Sequence, residues 1–135
     1  MKTIFIALFT LISTVTIAQN TVTWKGGTPG KETSWNEARN WSNNRVPDEF
    51  SDVIIPDVST TTFATPIISE GTVELNSILI ESNALLTIEA YANLVIHGFA
   101  EGLYKDNLDL KGTISLLDEV NNDYVMHFAA LSNKN

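Results

Sequence analysis

The chain repeats itself every eight residues along the stretch 73–100, VELNSILIESNALLTIEAYANLVIHGFA. The repeated positions carry aliphatic or small side chains, in the sets Ile78, Leu86, Leu94; Ile80, Ile88, Ile96; and Ala84, Ala92, Ala100. Because side chains alternate between faces along a strand, a spacing of eight returns each set to one face, whereas eight helical steps of roughly 100° would leave it about 80° away. The pattern therefore predicts β-strands.

One octad is too short for a complete coil of a solenoid, which needs on the order of 20 residues or more. Three consecutive octads supply that length, and aliphatic runs recur around Ile54, Leu79 and Leu110, at separations of 25 and 31 residues. We expect an all-β chain that forms a short right-handed parallel β-helix. The alternative is an antiparallel β-sandwich, which also has strands every 8 to 12 residues or so. The links 81–83 and 89–91 lack the Asn-Gly and Asp-Gly pairs of tight hairpins, which favours the parallel fold.

The N-terminus predicts export. Residues 1–18 have a minimal basic start at Lys2, an apolar run from Ile4 to Ile17 and a small residue at Ala18, which indicates a signal peptide cleaved between Ala18 and Gln19. The apolar run is shorter than the ~20 residues of a membrane span. We therefore expect a secreted or cell-surface protein with no membrane span after cleavage.

Charge and composition limit the possible partners and the source of stability. The chain has 16 acidic and 8 basic side chains and a formal net charge of −8, so nucleic acid is an unfavourable partner. It has no cysteine, so no disulfide can staple the fold. Stability must come from burial of apolar side chains.

All three tryptophans, Trp24, Trp35 and Trp41, lie in the predicted N-terminal cap, residues 19–47. One interpretation is that they cover the open end of the strand array, since each buried indole removes ~150 to 250 Å² from water. The other is a sugar-stacking platform that binds carbohydrate. A short helical turn is predicted over Ser34 to Asn40, with Ser34 as its cap and Glu37 at the third position.

Residues 48–116 are predicted to form the coils, beginning with a strand at Asp52 to Pro56. Residues 117–135 then form a C-terminal cap or strand and a tail. The spacing of Leu117, Val120, Tyr124, Phe128 and Leu131 also suits a helix, but we expect a strand at Tyr124 to Phe128. We expect residues 117 to 131 to cover the last coil.

The segment 22–100 resembles the N-terminal part of exported, adhesin-like bacterial surface proteins built on a parallel β-helix. The shared features are turn-forming, aromatic and apolar: Trp24-x-Gly26, Trp35, Asn40-Trp41, Val46-Pro47, Asp52 to Pro56, Pro66-x-Ile68, Leu86 to Ile88 and Leu94-Val95-Ile96-x-Gly98. The resemblance implies a scaffold role and carries over no catalytic residue. It differs at two octad corners, where Asn83 and Tyr91 replace the expected glycine.

No residue pattern identifies a reaction. His97 and His127 have no second histidine at metal spacing, no serine lies in a nucleophile elbow, and no calcium loop is present. Carboxylates that could pair for glycoside hydrolysis are more simply solvated turn residues; they are Asp48, Glu49, Asp52, Asp57, Glu81 and Glu89. We expect no catalytic residue, metal or cofactor. We expect an adhesion or display module whose partner is polysaccharide or the surface of a host or neighbouring cell. The alternative is a carbohydrate-binding accessory module. A small polysaccharide-degrading enzyme is the least favoured function.

Overall fold

The computed structural model describes residues 20–103, 106–117 and 125–127, and within them the regular structure is almost entirely β. A single 3-10 turn occurs at Ala38–Asn40. The nine strands are β1 (Asn20–Thr23), β2 (Ser51–Ile55), β3 (Ile67–Leu75), β4 (Ser77–Ile80), β5 (Leu86–Ile96), β6 (Ala100–Glu101), β7 (Leu108–Leu110), β8 (Thr113–Leu117) and β9 (Val125–His127).

The strands form two sheets, with the orders β1-β2-β4-β6 and β3-β5-β8-β9, and β7 also pairs with β5. From β2 to β8 the chain alternates between the two sheets and forms three successive coils. The first coil consists of β2 and β3, the second of β4 and β5, and the third of β6, β7 and β8. All pairings between coils are parallel. Side-chain hydrogen bonds between coils join residues 20 to 26 positions apart. The predicted parallel β-solenoid is confirmed, and the antiparallel sandwich is wrong.

The eight-residue repeat marks the inside of the solenoid. Ile78, Leu86 and Leu94 are buried, as are Ile80, Ile88 and Ile96. Each such aliphatic side chain contributes about 1.5 to 3 kcal/mol when fully buried. The aliphatic face predicted from the repeat is therefore the core face, and Ala84 and Ala92, from the third repeated set, are buried as well.

The corner expected at Glu89 to Tyr91 is not a break between strands, because β5 runs through it as one strand. The neighbouring coils change register at this point. β3 has a shift between Ile68 and Glu70, and the third coil splits into β7 and β8 around Lys111 and Gly112. The other predicted corner does contain a turn, where Asn83 has a φ of 65°, a left-handed conformation that asparagine tolerates better than most residues.

The N-terminal segment forms an irregular layer over the first coil. β1 pairs with β2 and extends one sheet, while an isolated bridge from Ser34 to Ile67 extends the other. The predicted cap of the short helical turn is wrong: Glu37, and not Ser34, precedes the 3-10 turn and accepts a hydrogen bond from the Arg39 N–H. Ser34 instead lies in an isolated bridge to Ile67, and its carbonyl accepts one backbone turn hydrogen bond, from the Glu37 N–H at 3.2 Å.

At the other end, β9 pairs antiparallel with β8. The strand expected at Tyr124 to Phe128 is thus confirmed over Val125–His127. Most of the predicted cover, residues 117 to 131, lies outside the described residues, as do the signal peptide 1–18 and its cleavage site at Ala18 and Gln19. The right-handed winding stays a prediction from the general preference of parallel crossovers.

Candidate functional site

The three tryptophans form one buried cluster. Trp24, Trp35 and Trp41 each expose no more than 1% of their surface. Trp41 packs edge-on against both partners, with ring centroids 5.0 Å from Trp24 and 4.6 Å from Trp35. The indole N–H of Trp24 donates to the Ala64 carbonyl and that of Trp41 to the Trp35 carbonyl, both at 2.8 Å.

This burial corrects the prediction that Trp24, Trp35 and Trp41 form a sugar-stacking platform. Stacking requires an exposed ring face, and none of the three presents one to solvent. The indoles instead join the aliphatic residues of the coils in one core. Their position fits the alternative interpretation, in which they cover the end of the strand array.

A shallow cleft of about 350 Å³ lies beside this cluster, between the N-terminal layer, the turn that enters β2, and β3. We call it the cap cleft. Its lining residues are Trp35, Asn36, Val46, Pro47, Asp48, Glu49, Thr72, Val73 and Glu74. Three of them carry carboxylates and none is basic, so the cleft is acidic, and Val46, Pro47 and Val73 are its apolar lining residues.

Some polar groups of the residues that line the cap cleft already form hydrogen bonds within the protein, and others do not. Asp48 accepts from the Ser51 hydroxyl at 2.8 Å and from the Phe50 N–H at 3.2 Å. Glu74 Oε2 lies 2.9 Å from His97 Nε2. Among the described residues, the Trp35 Nε1–H is the one buried side-chain polar atom without a hydrogen-bond partner. The cleft thus presents acceptor oxygens to solvent, whereas the Trp35 N–H lies buried behind its wall.

A second depression of about 360 Å³ lies where the second and third coils leave the first sheet, near Glu81, Ser82, Glu101 and Asn107. The Asn107 amide is committed to structure, because its Nδ2 donates to the carbonyls of Glu81 and Ala84 at 2.8 and 3.0 Å. This depression therefore offers fewer free polar groups than the cap cleft.

The carboxylates singled out as catalytic candidates mainly organise turns and corners. Asp52 accepts from Asn76 and Ser77 at 2.7 and 2.6 Å. Hydrogen bonds from Ser59 hold the pKa of Asp57 below its ordinary value. The lowered pKa of Asp57 disfavours the protonated form that a general acid needs.

Glu81 and Glu89 do not occupy equivalent corners as expected. Glu81 follows β4 and accepts from the Asp57 N–H at 3.3 Å, whereas Glu89 lies inside β5 and pairs with Lys111 at 3.2 Å. This pairing raises the pKa of Lys111. Within the described ranges, no three His, Asp or Glu side chains come together as metal ligands. His97 contacts only the exposed Glu74 carboxylate, and the side chain of His127 is outside the described part.

Comparison with known proteins identifies a family. The domain of unknown function DUF8693 matches residues 23–129. The chain belongs to this family. The match of the DUF8693 domain begins within β1 and includes all three tryptophans, the cap cleft and every later strand. No curated protein and no solved structure matches the chain. In the part of the chain that the structure describes, no helix of this DUF8693 protein is long and apolar enough to cross a membrane.

Sequence reasoning missed the cap cleft. Val46 to Glu49 are contiguous and visible as a polar turn, but Thr72 and Glu74 reach the same place only through the coil geometry. It also missed Asn40 and Asn107, two buried amides whose hydrogen bonds tie loops together. Asparagine is common in loops, so nothing in the sequence separates these two from the exposed ones.

Proposed function

We propose that the chain is a non-enzymatic module, exported to the cell surface or the surrounding medium, whose solenoid serves adhesion or structural display. The observation that supports this most is the alignment of outward side chains across coils. Thr72, Asn93 and Thr113 are register partners in one row, and Glu74, Val95 and Ser115 form the next. The Thr113 hydroxyl donates to the Asn93 side-chain oxygen, which holds two members of the row together.

Such a face is suited to contact because its side chains stand on a rigid, hydrogen-bonded scaffold. Neighbouring strands are ~4.8 Å apart, so the rows form a regular and mostly polar surface on the strands themselves. The acidic balance of the chain keeps this surface soluble and disfavours nucleic acid. Polysaccharide or the surface of a host or neighbouring cell remains the partner that we expect.

Export is tested by expressing the full chain in a bacterial host and sequencing the N-terminus of the product in the medium and the envelope. We expect a product that begins at Gln19. A matched variant, Ala18→Phe, places a bulky residue at the cleavage site and should accumulate uncleaved. Retention of the wild-type chain in the cytoplasm with Met1 in place would contradict export.

Adhesion is tested with beads that carry the purified mature chain, scored for attachment to immobilised plant, algal and bacterial polysaccharides and to whole cells. The triple change of Thr72, Asn93 and Thr113 to lysine should reduce attachment several-fold because it alters the row. Lysine at three exposed turn positions, Asn43, Thr60 and Ser82, is the control for the same added charge. Wild-type beads that attach no better than bare beads would refute the proposal.

A carbohydrate-binding accessory module is the second candidate. The burial of the tryptophans removes their use as a stacking surface, but the cap cleft offers a different site of suitable chemistry. A reducing-sugar assay on the same polysaccharides separates both candidates from a hydrolase, since only an enzyme would release new reducing ends.

A further inference from the structure

One motif of the chain plays no part in the proposed function. Asn40-Trp41-Ser42 is the single Asn-x-Ser/Thr sequon of the sequence, the acceptor pattern for N-linked glycosylation. In a secreted protein this pattern normally marks a surface loop, because the attached glycan is bulky and hydrophilic. Asn40 is instead fully buried, with 0% of its surface exposed, and Trp41 beside it belongs to the buried tryptophan cluster. The sequon therefore lies inside the N-terminal layer.

The hydrogen bonds of Asn40 leave no part of its amide free for modification. Glycosylation replaces one hydrogen on Nδ2 with a bond to a sugar. Both hydrogens are in use, since Nδ2 donates to the Lys31 carbonyl at 2.7 Å and to the Ser34 carbonyl at 3.0 Å. The side-chain oxygen accepts from the Thr28 N–H at 2.9 Å. A glycan on Asn40 would remove one of these bonds and would need space inside a filled interior.

The other two residues of the sequon are also held by the fold. The Ser42 hydroxyl accepts from the Thr23 N–H at 3.0 Å, and the Ser42 N–H donates to the Thr23 carbonyl at 2.9 Å. The Trp41 indole packs edge-on against Trp24 and Trp35. A transferase recognises the Asn and the Ser together, so it can bind this sequon only in a chain whose N-terminal layer has not formed.

We propose that Asn40 is a glycosylation site of the unfolded chain alone, and that its glycosylation and the folding of the N-terminal layer exclude each other. The transfer forms a bond from Asn40 Nδ2 to the anomeric carbon of a lipid-diphosphate-linked oligosaccharide. It breaks the bond from that carbon to the diphosphate, which leaves, and Nδ2 loses one proton. An exported chain must therefore fold before it meets such a transferase, or be exported where none is present.

The first test compares glycan transfer to the nascent and to the folded chain. The mature sequence is placed behind a standard secretory signal peptide, so that import does not depend on residues 1–18 and the result is separate from the export proposal. Translation with endoplasmic reticulum microsomes should add one glycan, seen as a mass increase that peptide N-glycosidase reverses and that Ser42→Ala abolishes. The purified folded chain, incubated with oligosaccharyltransferase and its lipid-linked donor, should accept none.

A matched control keeps the enzyme and the fold but moves the acceptor to the surface. Arg45→Ser creates a second sequon whose acceptor, Asn43, is exposed and lies three residues from Asn40. The folded Arg45→Ser chain should therefore accept one glycan, at Asn43. Equal resistance of Asn40 and Asn43 to transfer in the folded proteins would contradict the proposal, because burial would then not be what protects Asn40.

The second test asks whether the glycan blocks folding. Chain glycosylated at Asn40 in microsomes is isolated by lectin affinity and digested with trypsin. It should be cut within residues 20–45 under conditions in which the unmodified chain and the folded Arg45→Ser chain glycosylated at Asn43 resist. Glycan transfer to Asn40 of the folded wild type would overturn the proposal. So would a nascent chain that accepts no glycan, or an Asn40-glycosylated chain as resistant to trypsin as the unmodified one.

Discussion

At the scale of single residues, Asn40 holds the N-terminal layer together from within. It is fully buried, and its side chain accepts from the Thr28 N–H at 2.9 Å and donates to the carbonyls of Lys31 and Ser34 at 2.7 and 3.0 Å. Its own carbonyl accepts from Lys25 and Gly26. One side chain thus replaces the backbone pairing that this irregular segment lacks.

Asn40→Ala should destabilise the fold strongly. The change leaves the Thr28 N–H without its acceptor and removes one of the two hydrogen bonds to each of the Lys31 and Ser34 carbonyls, and we expect the free energy of unfolding to fall by about 2 to 3 kcal/mol. Asn36→Ala, at an exposed position of the same segment, should change it by less than about 0.5 kcal/mol. Urea unfolding followed by tryptophan fluorescence measures both. Equal stability of the two variants would show that the Asn40 bonds contribute little.

Glu37 makes the fold sensitive to acid. Hydrogen bonds from Arg39, with a further one from Lys31, hold the pKa of the Glu37 carboxyl below its ordinary value of 4.5. A carboxyl group whose pKa is lower in the folded chain stabilises it above the unfolded-state pKa, and this stabilisation is lost as pH falls through the folded-state pKa. The Glu37 contribution is therefore complete at neutral pH, begins to fall near pH 4.5 and is lost progressively as the pH drops through the lower folded-state pKa.

We expect Glu37→Gln to be less stable than the wild type at neutral pH and to approach it as the solution is acidified. Urea midpoints recorded from neutral pH into the acidic range test this. Glu32 and Asp57, whose pKa values are also lowered, keep their acid sensitivity in both proteins, so only the difference between the two curves reports on Glu37. Parallel curves would mean that its ion pairs contribute nothing to stability.

At the scale of elements, the corner beside β5 depends on a close backbone approach at Gly112. A Cβ atom at this position would lie 2.1 Å from the Ala92 carbonyl oxygen and 2.4 Å from that of Glu89. The Gly112 N–H also donates to the Ile88 carbonyl, which fixes the third coil against the second. No flexible side chain can move aside there, because both clashing atoms belong to the backbone.

Gly112→Ala should therefore separate the third coil from β5. We expect a loss of more than about 1 kcal/mol in the free energy of unfolding and faster amide hydrogen exchange in β7 and β8 than in β2 and β4. Ser82→Ala, in an exposed turn of the second coil, is the matched control and should have little effect. Unchanged exchange in β7 and β8 would contradict the close packing at this corner.

At the scale of the whole molecule, the sequence predicted the parallel orientation of the strands better than the positions of the corners between them. The spacing of Ile78, Leu86 and Leu94 fixes which face is buried, and the lack of hairpin pairs favours parallel strands. The corners were harder to predict, because β5 continues through Glu89 to Tyr91 and the register changes occur in the coils on either side. Contacts between these coils, such as that of Lys111 with Glu89, join residues more than 20 positions apart and leave no local signal in the sequence.

The candidate site was also hard to predict from the sequence, because it depends on contacts between segments that are distant in the chain. The tryptophans were recognisable as a cluster in the sequence, but whether they face solvent depends on how residues 25–45 fold over them. The cap cleft depends on the coil length that brings Thr72 and Glu74 beside Val46 to Glu49. A pattern within one segment predicts the face of a strand, whereas a site built from three segments requires the register between them.

The central claim is that successive coils stack in parallel register, and NOE contacts in the ¹⁵N,¹³C-labelled mature chain test it most directly. The account predicts contacts that link Val53 to Ile78 and Ile78 to Ala100 in one sheet, and Thr72 to Asn93 and Asn93 to Thr113 in the other. Strong Hα to Hα contacts, which are typical of antiparallel pairs, should occur only between β8 and β9 among the described strands. Such contacts between β3 and β5, or between β2 and β4, would contradict the solenoid.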